Sequence, residues 1–209
     1  MPTPAIPAPG DHEPITGPLD VRLRPITEAD LPDMLRWLAD PEVVRFYGSP
    51  PESLEECRQQ YLEPGVNPCW RFIIEWGDLG RGGVRGAGGA RSVGEVQYWR
   101  RYPGDEYLWD AGVDIFIGEP DARGRGVGIE TVRTMLRYLF EEKGVHRVTI
   151  DPEVANTRAI HVYERAGFRL DGVLRHHAFE HGEYVDTHFM SILEDEWPAA
   201  KQRWLDERA

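Results

Sequence analysis

Apolar and polar residues alternate or recur along the chain in patterns that predict most of its secondary structure. Residues Val21–Arg24 alternate apolar and charged side chains, as a half-buried strand does. Thr27 then resembles a helix N-cap, and the apolar residues after it recur at helical spacing. A second helix is predicted to begin at Ser53, where Glu56 completes a capping box, and to stop at Pro64.

The middle of the chain is predicted to be an antiparallel meander. The segment "DPEVVRFYGSPPES" before the second helix is predicted to be a loop or short helical turn with two exposed aromatics, Phe46 and Tyr47. After that helix, "WRFIIEW", "VGEVQYWRRY" and "YLWDAGVDIFIG" are each typical of a strand. The glycine-rich "GDLGRGGVRGAGGARS" and the turn "PGDE" connect these strands, so neighbouring strands are expected to pair.

The second half of the chain alternates helices with strands. An amphipathic helix follows "ARGRGVG" and ends near Lys143, because Gly144 is typical of the position after a helix. "HRVTIDP" is a short strand, "NTRAIHVYERAG" is a helix, and two strands flank the turn "HGE". The order β-α-α-β-β-β-α-β-α-β-β predicts an α/β fold of mixed α+β type. It should have a central mixed sheet of about six to seven strands with helices on both faces.

Composition divides the chain into three parts. Residues 1–19 are proline-rich and are predicted to be a disordered leader without the layout of a signal peptide. Residues 20–197 are predicted to form one domain, and residues 198–209 a polar C-terminal tail or helix. No apolar run has the length of a membrane span, so no membrane partner is expected. The two cysteines, Cys57 and Cys69, are too few for a disulfide framework, which favours a reduced, cytoplasmic setting.

The charge balance narrows the choice of partner. The chain has a formal net charge of −12, and a nucleic-acid binder would need a basic face. Nucleic acid is therefore not an expected partner. An acidic cleft would concentrate a cationic substrate, although the same charge is also typical of a soluble surface.

The stretch "ARGRGVG" combines backbone freedom with positive charge at the start of a helix. Glycines let consecutive N–H groups turn toward one point, and a helix N-terminus favours an anion such as phosphate. Arg123 and Arg125 would add full charges. The stretch matches neither the Walker nor the Rossmann pattern. On its own it could also be a surface turn with solvated arginines.

Two motifs together carry a family resemblance. "RGRGVG" before a helix, followed some thirty residues later by "NTRAIHVYERAGF", resembles the GCN5-related N-acetyltransferase (GNAT) superfamily over about residues 20–193. The resemblance implies the GNAT fold and acetyl-CoA as co-substrate, with no metal. "AGVDIFIGEPDARGRGVGIETVRTMLRYLF" and "IDPEVANTRAIHVYERAGF" look most like the aminoglycoside 6′-N-acetyltransferases. The siderophore-type lysine acetyltransferases share this layout but expect a histidine before the glycine loop, and no histidine lies between Trp70 and Asp121.

The resemblance assigns the coenzyme site. The loop residues that it implies for the pyrophosphate are Arg123, Gly124, Arg125, Gly126, Val127 and Gly128. A bulge in the strand "VDIFIG" is expected to free backbone N–H groups at Ile115, Phe116 and Ile117 toward the thioester and the pantetheine arm. Asn156 belongs to the second motif and is assigned to the coenzyme as well. Tyr163 matches the family tyrosine whose hydroxyl lies near the sulfur, although it could also be a core residue.

Amine acetylation also needs carboxylates that bind a cation and help to remove its proton. Asp114 lies just before the expected bulge and Asp151 just after the neighbouring strand, so the two could face one cleft. Both match motifs of the aminoglycoside enzymes, and the resemblance makes Asp114 the candidate base or base-organiser and Asp151 the candidate binding carboxylate. A turn-forming role for Asp151 before Pro152 remains open. Either Asp105 or Glu106 falls where the family carries a substrate-binding acid.

Aromatic and histidine side chains complete the candidates. Tyr47, Trp99 and Trp109 could stack on sugar rings or could equally be edge-of-core residues. The histidines of the C-terminal hairpin lack metal-ligand spacing and are interpreted as surface residues. The expected acceptor is thus a cationic small-molecule amine, in first place an aminoglycoside. A polyamine, a protein N-terminus, or a non-catalytic acetyl-CoA-binding module stays open, as does a monomeric or homodimeric state.

Overall fold

The computed structural model describes residues 13–16, 21–48, 50–63, 69–77, 89–101 and 110–207. Its centre is one eight-stranded mixed sheet of order β1-β2-β3-β4-β5-β6-β8-β7. The strands are β1 (Ile15–Thr16), β2 (Val21–Pro25), β3 (Cys69–Gly77), β4 (Ala90–Arg100), β5 (Asp110–Ile117), β6 (Arg147–Ile150), β7 (Arg169–Glu180) and β8 (Glu183–Leu193). The helices are α1 (Leu31–Leu38), α2 (Pro41–Tyr47), α3 (Leu54–Tyr61), α4 (Val127–Arg137), α5 (Thr157–Ala166) and α6 (Trp197–Asp206).

Helices cover both faces of the sheet, as the sequence predicts. Successive side chains of a strand point to opposite faces, and β3 shows this in neighbouring residues. Phe72 and Ile74 join the core beneath α4, α5 and α6, whereas Ile73 joins the core beneath α1, α2 and α3. The antiparallel pairs β3–β4 and β4–β5 confirm the predicted meander.

Strands β5 and β6 form the one parallel pair among the described strands, and it is short. Residues 110–112 pair with residues 147–149. β5 then continues to Ile117, whereas β6 ends at Ile150. The sheet therefore opens beyond the last pair, and the chain that follows each of the two strands enters the opening.

Three parts of the fold differ from the sequence prediction. The sheet has eight strands because Ile15 and Thr16, assigned to the leader, pair with β2, and Ile15 is buried. The segment with Phe46 and Tyr47 is a helix, α2, which begins at Pro41 with its N-terminus capped by Asp40. The C-terminal segment is the helix that the sequence offered as one alternative, but its Trp204 is only 2% exposed, so it belongs to the main core.

Several predictions fall outside the described residues. They concern most of the leader, the glycine-rich connection between β3 and β4, and the turn with Asp105, Glu106 and Trp109. Within the described ranges, no helix has the length and apolar character needed to cross a membrane.

Candidate active site

The opening between β5 and β6 holds a cleft of about 900 Å³. One end, which we call the glycine-loop half, is lined by Ile115, Phe116, Ile117, Gly124, Gly126, Gly128, Asn156 and Tyr163. The other end, the carboxylate half, is lined by Glu42, Arg45, Tyr47, Trp99, Asp114, Asp151, Glu153, His177 and Glu180. The structure thus brings together most of the residues that the sequence singles out.

Backbone groups make the glycine-loop half suited to an anion. Gly124 and Gly126 adopt φ values of 74° and 83°, which are unfavourable for residues that carry a Cβ atom. Gly126 is the N-cap of α4 and, having no side chain, leaves the N–H groups of the first helical turn without a side-chain cap. These donors, together with the positive end of the helix dipole, favour a phosphate group at this point.

The structure differs from the sequence prediction at Arg123. Its Nε donates to the carbonyl of Ile117 at 2.9 Å, and its Nη2 donates to the carbonyl of Gly118 at 2.8 Å. The same Nη2 forms an ion pair with Asp40 at 2.6 Å. Arg123 therefore ties the glycine loop to β5 and to the start of α2. Its guanidinium is occupied by contacts within the protein.

A cationic side chain from another element also lies beside the loop glycines. Arg125 is exposed and, with the buried Val127, borders a separate hollow of about 380 Å³. Arg158 instead lines the cleft from the first turn of α5. Its Nη2 would lie 3.7 Å from a Cβ placed on Gly124. The sequence analysis passed over Arg158, although its position two residues after Asn156 in the second motif was a signal.

The predicted bulge is not seen in β5. Residues 111–117 pair with residues 94–100 of β4 without a register shift. The N–H of Arg101 donates to the carbonyl of Asp110, so the backbone groups of Asp110 point toward β4. Backbone direction alternates along a strand, and Phe116 is an even number of residues further on, so its N–H and C=O also point toward β4. Ile115 and Ile117 direct theirs toward the open edge. The separation of β5 and β6 therefore leaves the N–H of Ile117 directed at the open edge, whereas the N–H of Ile115 donates to Oδ1 of Asp114 at 2.8 Å and is not free as predicted. Phe116 contributes its side chain only.

Helix α5 brings the second motif to the cleft. The side chain of Asn156 accepts a hydrogen bond from the N–H of Ala159 at 3.1 Å and so caps α5. The same residue lines the cleft. Two turns further, Tyr163 is 6% exposed and its ring packs against Phe168. Burial, with smaller contributions from the negative charges of Asp114 and Asp151, raises the pKa of Tyr163. Its hydroxyl therefore stays protonated at neutral pH.

Asp114 is the perturbed carboxylate of the cleft. Desolvation by the surrounding protein raises the pKa of Asp114 to about 6, and the negative charge of Asp151 adds to this effect. Hydrogen bonds from the N–H of Ile115, at 2.8 Å, and from Tyr47 act in the opposite direction. A carboxylate with such a pKa is ionised at neutral pH and is still basic enough to accept a proton.

Tyr47 contacts this carboxylate through its hydroxyl. The single proton of that hydroxyl is shared between Asp114 and Glu95, whose Oε2 lies 3.2 Å away, and the hydroxyl accepts from the amide of Gln97 at 3.1 Å. Its ring lies edge-on against Phe116, with ring centroids 4.7 Å apart. The structure therefore gives Tyr47 contacts that position the carboxylates, whereas the sequence suggested stacking on a sugar.

Glu95 is a functional candidate that the sequence analysis missed. It lies on the same face of the sheet as Asp114 and is fully buried. Burial raises the pKa of Glu95 to about 8, although Arg71, 3.6 Å away, acts to lower it. Side chains alternate between the two faces of a strand, so Glu95 and Gln97 were expected on the same face. That pattern could have identified Glu95 from the sequence.

The remaining candidates lie on the rim of the carboxylate half. Trp99 lines the cleft and packs against the backbone of Gly112. Asp151 lies beside His177, with its Oδ2 3.3 Å from Nε2 of the ring. Among the described lining residues of this half, five carboxylates face a single arginine, Arg45. These five are Glu42, Asp114, Asp151, Glu153 and Glu180, so this half favours a cation.

A sheet that opens between two parallel strands, with a helix N-terminus that favours an anion at one end of the cleft and carboxylates at the other, is typical of a group-transfer enzyme with a phosphate-bearing donor. The chain belongs to the GNAT acetyltransferases, because the acetyltransferase (GNAT) domain matches residues 20–169. It is an N-acetyltransferase, and acetyl-CoA is its co-substrate.

Individual relatives indicate which enzymes the chain is similar to. Aminoglycoside N(6′)-acetyltransferase type 1 of Klebsiella pneumoniae is 28% identical in an alignment of 168 residues. The alignment covers 74% of this chain and 76% of that protein. A solved aminoglycoside acetyltransferase, AAC(6′)-Ib in complex with coenzyme A, is 24% identical with a TM-score of 0.67, covering 87% of this chain and 99% of that chain. Spermidine N-acetyltransferase from Vibrio cholerae, solved with CoA and spermine, is 23% identical with a TM-score of 0.71, covering 85% and 98%. At these identities the two solved structures support the fold.

Proposed function

We propose that the protein transfers the acetyl group of acetyl-CoA to the 6′-amine of an aminoglycoside, by direct attack while both substrates are bound, and so confers resistance. The observation that carries this proposal is the carboxylate half of the cleft, which four further acids line together with the base candidate Asp114. An aminoglycoside is a polycation, and its charge complements such a lining. The relative from Klebsiella pneumoniae, which carries this activity in its name, adds the choice of acceptor.

Acetyl-CoA supplies the acetyl group as a thioester and leaves as a thiol. Its phosphates would be held by the first-turn N–H groups of α4 and by Arg158. The N–H of Ile117, on the open edge of β5, is in a position to stabilise negative charge that develops on the carbonyl oxygen. Asn156 lines the path between these groups.

The acceptor reaches the cleft as an ammonium ion and must lose a proton before it attacks. Asp114 accepts that proton, since its pKa of about 6 keeps it ionised at neutral pH. Tyr163, whose raised pKa keeps its hydroxyl protonated, donates a proton to the departing sulfur and regains one from the second N–H proton that the nitrogen loses as the amide forms. Asp151 binds an ammonium group of the acceptor, and Trp99 offers an apolar wall beside it.

A substrate panel tests this proposal. Free thiol release would be measured with acetyl-CoA and kanamycin, tobramycin, ribostamycin, spermidine, spermine and a peptide with a free N-terminus. Turnover of the aminoglycosides with 6′-amines, and acetylation located at that amine by NMR, is the expected result. A matched aminoglycoside with a 6′-hydroxyl in place of the amine should be inert.

The same panel contains the results that would contradict the proposal. Preference for spermidine over every aminoglycoside would replace the substrate class, because a linear polyamine also suits an acidic cleft. Acetylation of the peptide alone would assign a protein acceptor. Asp151→Asn should raise the KM for the aminoglycoside about tenfold with little change in the KM for acetyl-CoA. An equal effect on both KM values would argue against Asp151 as an acceptor ligand.

A further inference from the structure

The carboxylate half contains an irregularity in β7 that neither the fold nor the proposed function explains. Leu174 pairs with Thr187 and Ala178 pairs with Val185. Three residues of β7, 175–177, therefore lie opposite the single residue Asp186 of β8. Bulges of this kind bend a strand and redirect a side chain.

The bulge is held in a conformation that is costly for its residues. His176 adopts a φ of 51°, in the left-handed region that residues with a side chain rarely occupy. Its N–H donates to Oδ1 of Asp186 at 2.8 Å, and its ring stacks on Tyr184. These contacts fix the bulge, and the next residue, His177, turns into the cleft.

The same β8 residue also fixes the loop that carries Asp151. The N–H of Val154 donates to the carbonyl of Asp186 at 3.0 Å. Two residues along β8, the N–H of His188 donates to the carbonyl of Pro152 at 2.8 Å. Because Asp186 holds both segments, His177 and Asp151 are fixed relative to each other, with Nε2 and Oδ2 3.3 Å apart.

The transfer reaction creates a need for such a pair. An ammonium ion and an acetyl thioester give an amide, a thiol and one free proton in each turnover. Asp114 can accept that proton but lies among protein groups, and two bound substrates would displace water from the cleft. A group at the rim that titrates near neutral pH is needed to pass the proton to solvent.

We propose that His177 is a proton-relay residue, which takes the proton released by the acceptor from Asp151, a residue that lines the same cleft as Asp114, and passes it to bulk water. An N–H bond of the ammonium breaks, and its proton moves to a carboxylate oxygen and then to Nε2 of His177. The resulting imidazolium, whose side chain is 41% exposed, releases one proton to water and becomes neutral again. No other reactant is needed.

The charged groups around His177 come from every neighbouring element. The loop after β6 contributes Asp151 and Glu153, and β8 contributes Asp186. The tip of β7 contributes Glu180, and α2 contributes Arg45 from across the cleft. Most of these groups are carboxylates.

His177→Gln and His177→Ala test the relay, which rests on the proposed amine acetylation. The glutamine amide can still contact Asp151 but carries no proton onward. We expect kcat in weakly buffered solution to fall about tenfold in both variants, with the KM for acetyl-CoA unchanged. Added imidazole should restore much of the lost kcat of His177→Ala. A structural loss would not respond to imidazole.

His146→Gln is the matched control, because its Nδ1 lies 3.2 Å from Glu194 in a similar exposed pair. It should keep the wild-type kcat. Wild-type kcat in both His177 variants, or a loss that imidazole does not restore, would overturn the relay.

The wild-type protein separates this test from that of the proposed function. If it turns over spermidine but no aminoglycoside, the substrate proposal fails and the His177 comparison is made with spermidine. If no amine on the panel is acetylated, both proposals fail.

Discussion

The two halves of the cleft are built from different parts of the polypeptide. The glycine-loop half offers backbone N–H groups, and Arg123, the cation that the motif displays, holds the loop itself. The carboxylate half offers side chains, among which Asp114, Tyr47 and Glu95 form one buried network. The comparison teaches that the donor site depends on local chain conformation. The acceptor site depends on how distant elements pack.

Loss of the Asp114 carboxylate is the largest effect expected in the carboxylate half. Asp114→Asn should lower kcat at least a hundredfold at pH 7.5, because it removes the base, while the KM for acetyl-CoA stays within about twofold. In the wild type, kcat/KM should fall as the pH drops through about 6, where Asp114 becomes protonated. Stopped-time assays between pH 5 and 9 check both expectations.

Thermal unfolding of Asp114→Asn supplies the control for misfolding. The pKa of Asp114 is raised from 3.8 to about 6 in the folded protein, so its charged form destabilises the fold above pH 6. The variant should therefore unfold at an equal or higher temperature than the wild type at pH 8. Near-normal turnover in a well-folded variant would remove Asp114 from the mechanism.

A side chain at the N-cap of α4 tests the glycine-loop half. Gly126→Ala places a Cβ in open space at the mouth of the helix, where the donor phosphates would approach the backbone. We expect the KM for acetyl-CoA to rise about tenfold, with the KM for the amine unchanged. Gly144→Ala is the control, since Gly144 has a similar φ of 65° and lies outside the cleft.

Both glycine variants should lose about 1 kcal/mol of stability, because each forces alanine into a left-handed conformation. Chemical denaturation measures that loss. If Gly144→Ala raised the KM for acetyl-CoA as much as Gly126→Ala, the effect would be general strain and would contradict a phosphate site at this N-cap.

The two arginines of the glycine-loop half should separate binding from stability. Arg158→Ala should raise the KM for acetyl-CoA about fivefold and leave the unfolding free energy unchanged, because Arg158 is exposed. Arg123→Ala should cost about 2 to 3 kcal/mol of stability, since it breaks the ion pair with Asp40 and two bonds to carbonyls. The KM for acetyl-CoA and the unfolding free energy would be measured for both variants. A larger rise in KM for Arg123→Ala and a larger loss of stability for Arg158→Ala would reverse these roles.

The smallest expected effect concerns the hydroxyl of Tyr47. Its hydrogen bond lowers the pKa of Asp114, so Tyr47→Phe should raise that pKa and move the acidic limb of kcat/KM to higher pH. At pH 7 we expect a loss of about threefold. Tyr61→Phe is the control on the neighbouring helix. A rise in the KM for the amine with an unmoved pH profile would instead favour stacking on the acceptor.

Much of the fold follows from local pattern. Alternation and helical periodicity predict the meander, the helices on both faces and the two strand–helix units that flank the opening. They did not predict β1, because a strand of two residues carries no period, and its two residues gain their place by pairing with β2. They left α2 undecided, because Val43 is the only buried residue among its seven. A single buried position shows no helical period.

By itself, the sequence determined the conformation of the glycine loop, where we expect the donor phosphates to bind. Gly124, Gly126 and the start of α4 are contiguous, and their conformation is set by residues within one turn of each other. Tertiary structure alone decided which arginine lies beside that loop and which side chains surround Asp114. Arg123 and Arg158 look alike in sequence, and Glu95 and His177 reach the cleft only through sheet pairing and a bulge held by Asp186. The reason is physical, because the environment of a side chain depends on contacts between residues that are far apart along the chain.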